Sequence, residues 1–216
     1  MNLQKEKNFN KRGLLALLMV SAAVVIDQII KIVVKLSMYL HESFAVCGDW
    51  FYIYFTENPG MAFGMELGSK LFLTLFRVVA VSFLAYYLYR IVRSPKFPTG
   101  YIVCIALVLA GAAGNIIDCL FYGEIFSDSH GAIATFVPWG EGYGDFFYGK
   151  VVDMFHFPLF SFDWPEWLPF VGGEHFVFFS PIFNFADACI SCSVVIIALF
   201  YYKYVSYSLK DDAEKN

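Results

Sequence analysis

Along most of this chain apolar residues do not alternate with polar ones but run on without a break. Four such runs, Leu14–Leu36, Leu71–Val92, Tyr101–Ile117 and Ala188–Val205, approach the 20 or so residues that a helix needs to cross a hydrocarbon core. They predict four transmembrane helices at about 14–36, 71–92, 101–118 and 187–205, with loops 37–70 and 119–186 on one side of the membrane. Between the first two runs, Trp50-Phe51-Tyr52-Ile53-Tyr54-Phe55-Thr56 is aromatic and β-branched and is closed by Asn58-Pro59-Gly60, which predicts a strand ending in a turn. The longer loop carries Gly and aromatic residues from Gly131 to Gly149, then Trp164-Pro165-Glu166-Trp167-Leu168-Pro169-Phe170, a composition suited to the headgroup level of a bilayer. The expected fold is an all-α membrane protein: one four-helix domain over residues 1–216, with a small extracytoplasmic β-cradle and an extended outer loop.

The first run has a competing reading as a cleavable signal peptide, because Lys5, Lys7, Lys11 and Arg12 precede it and Ser21-Ala22-Ala23 lies within it. Its apolar pattern continues past those small residues, and it carries Asp27 and Lys31, which argues for a permanent helix. Composition agrees with lipid as the solvent: 59% of residues are hydrophobic and 16% charged, far from the balance of a soluble domain. Basic residues cluster at Lys5–Arg12, at Arg90, Arg93 and Lys96, and at Lys203, Lys210 and Lys215. Loops rich in Lys and Arg stay cytoplasmic, so both termini are expected inside, as disordered arms, and the other two loops outside.

A net charge of −4 leaves no basic face for nucleic acid. Of the five cysteines, Cys104, Cys119, Cys189 and Cys192 fall in or at the ends of the runs, so they do not read as a disulfide framework. The histidines are scattered, no His-Glu-x-x-His pattern is present, and neither a metal nor a cofactor is expected. Serine-nucleophile, P-loop and dinucleotide motifs are absent.

What remains is a set of polar residues where lipid makes them expensive. Asp27 and Lys31 share a helix face at i, i+4 spacing, which fits either a site or an internal ion pair. Asn115 and Asp118 end the third run, with Gly111 and Gly114 allowing close packing. Asp153 follows Val151-Val152 in the outer loop, and Asp187, after Asn184, opens the fourth run, where a helix dipole alone would favour it. The predicted topology brings Asp118, Asp153 and Asp187 to one interface. Two carboxylates held together share a proton and titrate as a pair, which suits peptide hydrolysis: one takes a proton from water while the other donates.

In this order the motifs resemble those of lipoprotein signal peptidase, also called signal peptidase II. Asp27-Gln28 with Lys31 is similar to its first-helix motif, Asn58-Pro59-Gly60 with Ala62-Phe63-Gly64 to its outer-loop motif, and Gly114-Asn115 with Asp118 to its third-helix motif. Val151-Val152-Asp153 and Phe183-Asn184 with Ala186-Asp187 resemble the two that carry its aspartates. The resemblance implies an aspartyl endopeptidase of the bacterial cytoplasmic (inner) membrane that removes the signal peptide from diacylglyceryl-modified prolipoproteins just before the lipidated cysteine. It implies a catalytic pair of Asp153 and Asp187, with Asp27, Lys31, Asn58, Gly60, Asn115, Asp118 and Asn184 binding substrate or supporting the pair. It further implies membrane lipid as a partner and globomycin-type inhibitors as ligands, and the chain is expected to act as a monomer. Two departures stand out. The family has arginine after the third-helix aspartate where this chain has Cys119, with Lys150 or Arg77 as candidate replacements, and the connections 118–153 and 153–187 are long. If those insertions move Asp153, Asp145 and Asp163 become rivals. A proton-coupled transporter and a non-catalytic binding protein for lipoprotein precursors are the alternative functions.

Overall fold

The computed structural model describes residues 3–59 and 70–213; the expected site residue Gly60 and the Ala62-Phe63-Gly64 motif lie outside them. Long helices α1 (Leu3–Ser37), α2 (Lys70–Arg93) and α3 (Thr99–Ile117) are followed by a π-helical turn, Asp118–Tyr122, and a short α4 (Gly123–Ile125). After the outer segment come α5 (Phe185–Ile196), a second π-helical turn, Ile197–Tyr201, and α6 (Tyr202–Ala213). Four helical stretches, 10–37, 70–93, 99–125 and 185–207, are long and apolar enough to cross a membrane. The chain is thus a multi-pass membrane protein, and α3 is its central helix: 61% of the apolar window of 99–125 is buried, against 11–17% for the other three.

Three expectations about extent are corrected. The third helix does not end at Asp118 but turns on through the π segment to Ile125, because Cys119, Tyr122 and Gly123 are buried and keep following the bundle. The fourth starts at Phe185, two residues before Asp187, because Asn184 caps it. The termini, expected as disordered arms, are helical from Leu3 and through Ala213.

Strands β1 (Ser43–Cys47), β2 (Phe51–Asn58), β3 (Val151–His156) and β6 (Ile182–Phe183) form an antiparallel sheet in the order β1-β2-β3-β6, and β4 (Phe160–Asp163) pairs with β5 (His175–Phe178) in a separate hairpin. The predicted strand over 50–56 runs on to Asn58, which pairs with Val151 instead of joining the turn. Helix order puts this sheet at one end of the bundle and both termini at the other, where Arg12 donates to the carbonyls of Ser94 and Phe97.

Two apolar cores follow from that layout. One, at the terminal end, packs Ala16, Leu88, Ile91, Tyr101, Ile102 and Ala106; the other, under the sheet, packs Val34, Met38, Phe55, Tyr122, Phe126 and Met154. Residues 27–31 of α1 and 114–118 of α3 and its π-helical turn fall between them, so the polar site is a layer sandwiched by hydrocarbon.

The sheet is clamped to the bundle by a knot of charges. Glu57 is bonded by the buried Lys35, by Ser129 at 2.7 Å and by Lys150 at 3.1 Å, and Lys35 also donates to Ser129 at 2.9 Å. Burial alone would push the Glu57 carboxyl up, but the Lys35 charge and its hydrogen bond hold it below the usual range. This knot joins α1, β2 and the first insertion, and it engages Lys150, which is therefore not the cation beside Cys119.

Candidate active site

Five elements each deliver one to three polar side chains to a single cluster. Asn184 caps α5 in a capping box: its Oδ1 accepts from the Asp187 backbone N–H at 2.9 Å, and its own N–H donates to Asp187 Oδ2 at 3.3 Å. Local helix chemistry thus explains Asp187 in the first turn, as the dipole argument anticipated, yet it leaves the Asn184 amide nitrogen free to act elsewhere. That nitrogen donates to Asp153 Oδ1 at 2.6 Å and to Asn115 Oδ1 at 3.1 Å. Asn115 in turn donates to Asp187 Oδ1 at 2.8 Å. Asp153, delivered by β3, and Asp187, delivered by α5, are therefore tied together through two asparagine amides, and Asn58 from β2 adds a hydrogen bond to Asp153.

Beneath this pair lies an ion cluster centred on Lys31, which is 0% exposed. Its ammonium reaches Asp27 Oδ2 at 2.9 Å, Asp118 Oδ2 at 2.8 Å and Asn115 Oδ1 at 2.7 Å. The internal ion pair of Asp27 and Lys31 is thus present, and it lies beneath the Asp153 and Asp187 carboxyls. The Asp27 and Asp118 carboxylates reach outward from it. Asp118 Oδ2 accepts from the N–H of Val152, the residue before Asp153, at 3.3 Å, and Asp27 Oδ1 accepts from the N–H of Ala186, the residue before Asp187, at 2.9 Å. Each holds the backbone beside one member of the pair. Asp118 also opens the π-helical turn, a distortion frequent at functional sites. Gln28 completes the floor by donating to Asp118 at 2.9 Å while accepting from Tyr122 at 3.1 Å.

Small residues make this approach possible. A Cβ on Gly111 would lie 2.3 Å from the Ala186 carbonyl oxygen, and one on Gly114 2.6 Å from Asp27 Oδ2. Any side chain at either place would push α5 or Asp27 outward, and the N-terminus that carries Asp187 with it.

Burial and neighbouring charge set the titration of Asp153. Burial pushes Asp153 up, and the neighbouring Asp187 charge adds to the rise; hydrogen bonds from Asn184 and Asn58 and the Lys31 charge oppose it, leaving Asp153 at about 7. Asp187 instead sits at the positive end of α5 and accepts from two N–H donors.

The sequence-expected Asp27, Lys31, Asn58, Asn115, Asp118, Asp153, Asn184 and Asp187 thus form one cluster. Asp145 is exposed, and Asp163 is exposed and bonded to His175 at 2.6 Å on the β4–β5 hairpin. Neither has moved into Asp153's place.

A model of the family described as signal peptidase (SPase) II matches residues 19–203. The chain belongs to the signal peptidase II family. Among curated relatives, a protein of Porphyromonas gingivalis named lipoprotein signal peptidase is 55% identical over 185 residues, which is 86% of this chain and 81% of the relative. One of the same name from Amoebophilus asiaticus is 37% identical, covering 82% of this chain and 73% of its own length. A solved structure described as a bacterial membrane enzyme, determined by the in meso method, shares the fold at a TM-score of 0.57 with 24% identity, covering 86% of this chain and 92% of that one.

Within this family member, sequence reasoning missed Lys35, Glu57 and Tyr122. Lys35 had a legible signal, being four residues beyond Lys31 on the face that also carries Asp27. Glu57 and Tyr122 had none, since their partners come from distant segments.

Proposed function

We propose that this signal peptidase II cuts diacylglyceryl-modified prolipoproteins just before the lipidated cysteine, with Asp153 and Asp187 as its catalytic pair. The observation that carries the assignment is the Asn184 amide, which bonds Asp153 with its side chain while capping the helix turn that holds Asp187. Asp187, at the N-terminus of α5, takes a proton from water attacking the scissile carbonyl. Asp153 is the protonated member, donating to the carbonyl oxygen and then assisting the departing amine. Asp27, Lys31, Asn115, Asp118 and Asn184 hold that geometry from below, and Asn58 from the sheet side; Gly60 belongs to the same outer-loop motif. Globomycin-type inhibitors would occupy this site.

The basic residues at Lys11, Arg12, Arg90, Arg93 and Lys96 lie at the bundle end away from the sheet, which supports cytoplasmic termini and an active site at the outer face of the cytoplasmic membrane. Acyl chains of the substrate then dissolve between the helices and fix the cysteine at the interface, converting an encounter in three dimensions into a positioned one.

The test is cleavage of a lipobox peptide, with and without diacylglycerol on its cysteine, by purified protein in nanodiscs. The lipidated peptide is cut at least about 100-fold more efficiently, because positioning accounts for much of the rate. Binding without cutting would instead favour a non-catalytic precursor-binding protein.

A pH profile follows from Asp153. A carboxyl that titrates at about 7 donates its proton below that value and loses it above, so kcat declines as pH rises through 7 to 8. The apparent value belongs to the pair. A single-turnover rate that stays flat from pH 6 to pH 9 would contradict Asp153 as the acid.

A further inference from the structure

One intramembrane cation plays no part in the mechanism so far. Arg77 lies two turns into α2, roughly 10 Å from its first residue at 1.5 Å per residue, within the span 70–93. An arginine at that depth is expensive, and such residues face a partner or a cavity. Among the described residues Arg77 faces no carboxylate; its one hydrogen bond runs from Nη1 to Cys119 Sγ at 3.2 Å. A thiol is a weak acceptor, so most of the five guanidinium donors are not engaged by it.

The remaining donors have somewhere to point. Arg77 and Asn115 line a cavity of about 270 Å³ between α2, α3 and α5, whose other walls include Leu84, Ala112, Ile116 and Ile190. Asn115 is the residue that bonds Asp187. The cavity therefore has a polar end beside the carboxyl pair and hydrocarbon walls elsewhere. Arg77 is also held in register: on the same helix face, Thr74 Oγ1 donates to the Phe147 carbonyl at 3.2 Å, and Lys70 bonds the Tyr148 carbonyl. The first insertion thereby fixes the rotation of α2 that brings Arg77 to Cys119, on the wall of the cavity that Asn115 also lines.

We propose that Arg77 is a substrate-binding residue whose guanidinium receives a carbonyl oxygen of the lipidated segment as it approaches the carboxyl pair. The inference rests on the peptidase reading above for its substrate. An uncharged polar acceptor suits the geometry, because a second anion beside Asp187 would be repelled, whereas an ester or peptide carbonyl with adjoining hydrocarbon matches both ends of the cavity. The two carbonyl sources, acyl ester and peptide backbone, differ in one bond and are separable by experiment.

The experiment measures the Kd of a fluorescent lipobox peptide in nanodiscs, for Asp187→Asn and for the same background carrying Arg77→Leu or Arg77→Lys, with unfolding midpoints taken in parallel. Charge-assisted hydrogen bonds predict a Kd raised about 10- to 100-fold by Arg77→Leu and partly restored by Arg77→Lys, with midpoints held, because leucine suits a cavity with apolar walls. A peptide bearing a dialkyl ether lipid distinguishes the sources: the Arg77 effect disappears with it if the ester carbonyl is the acceptor and persists if the backbone is. A Kd within twofold of the parent, or weakening that tracks a lowered midpoint, overturns the proposal. Because this readout is binding, absence of cleavage by the wild type overturns the peptidase reading alone.

Discussion

Asp153→Asn and Asp187→Asn are each expected to lower kcat about 10³-fold or more while leaving lipidated peptide bound. Asparagine keeps the shape of either side chain and still offers Oδ1 as an acceptor, so the bond from Asn184 to position 153 survives, but it neither gives nor takes the proton. General acid and base steps are each worth about 10²–10⁴, and because the two groups act as a unit, the double variant should be hardly slower than either single one. The second signature is thermodynamic. Asp153 titrates higher when folded, at about 7, than an ordinary carboxyl. Folding stability therefore falls as pH rises from the ordinary carboxylate range to about 7, and the deficit persists above it. Asp153→Asn removes that deficit, so its unfolding midpoint should exceed the wild type's at pH 8 and match it near pH 4. An inactive but more stable protein is the pattern of a carboxyl retained for chemistry. Substantial cutting by Asp153→Asn would move the assignment to Asp145 or Asp163, despite their exposure.

Removal of the cation beneath the pair should act in the opposite direction on stability. In Lys31→Met the side chain keeps all but its last atom, but Asp27 and Asp118, both buried, lose their shared counter-ion. Breaking a buried ion cluster by deleting one partner costs about 3–5 kcal/mol, enough to lower the unfolding midpoint well outside experimental scatter. Activity should fall too, through Asn115. Its Oδ1 is claimed by Lys31 and Asn184, which obliges its Nδ2 to face Asp187; without Lys31 the amide is no longer held that way round. Neutralising all three charges together, with Asp27→Asn and Asp118→Asn added to Lys31→Met, should recover stability but not rate. If Lys31→Met unfolds within about two degrees of the wild type, the cluster is not a structural keystone and its role must lie elsewhere.

The ease of reading this protein varied with the physics behind each feature. Helices were legible because lipid demands long apolar runs, and carboxylates inside or beside those runs were conspicuous for the same reason. Asp27 with Lys31 was visible as an i, i+4 pair, whereas the reach of Lys31 to Asp118 depends on how α1 packs on α3 and has no local trace. Asn184 shows the limit well. Its spacing to Asp187 reads as a cap, and only the position of β3 reveals that the same amide holds Asp153. The extension of α3 past Asp118 was hidden because a π-helical turn alters the side-chain period just where the apolar run gives way to the outer segment. Of the two cations considered for the place beside Cys119, charge alone could not separate Lys150 from Arg77; the structure does so by engaging Lys150 with Glu57.

The two long insertions differ in what they can transmit. Residues 126–150 are bolted to four elements at once: Lys150 and Ser129 to Glu57 on β2 and, through Ser129, to Lys35 on α1, the carbonyls of Phe147 and Tyr148 to α2, and the N–H groups of Gly144 and Gly149 to the extension of α3. Force applied there is shared among the helices that shape the site, so this segment behaves as a girder and not as a door. Among the described residues the β4–β5 hairpin pairs strand to strand, with Trp167 and Phe170 exposed at its tip. Both ends of the hairpin run within a few residues into β3, which carries Asp153, and β6, which leads to Asn184 and Asp187, so a push on that tip travels along the backbone to the carboxyl pair.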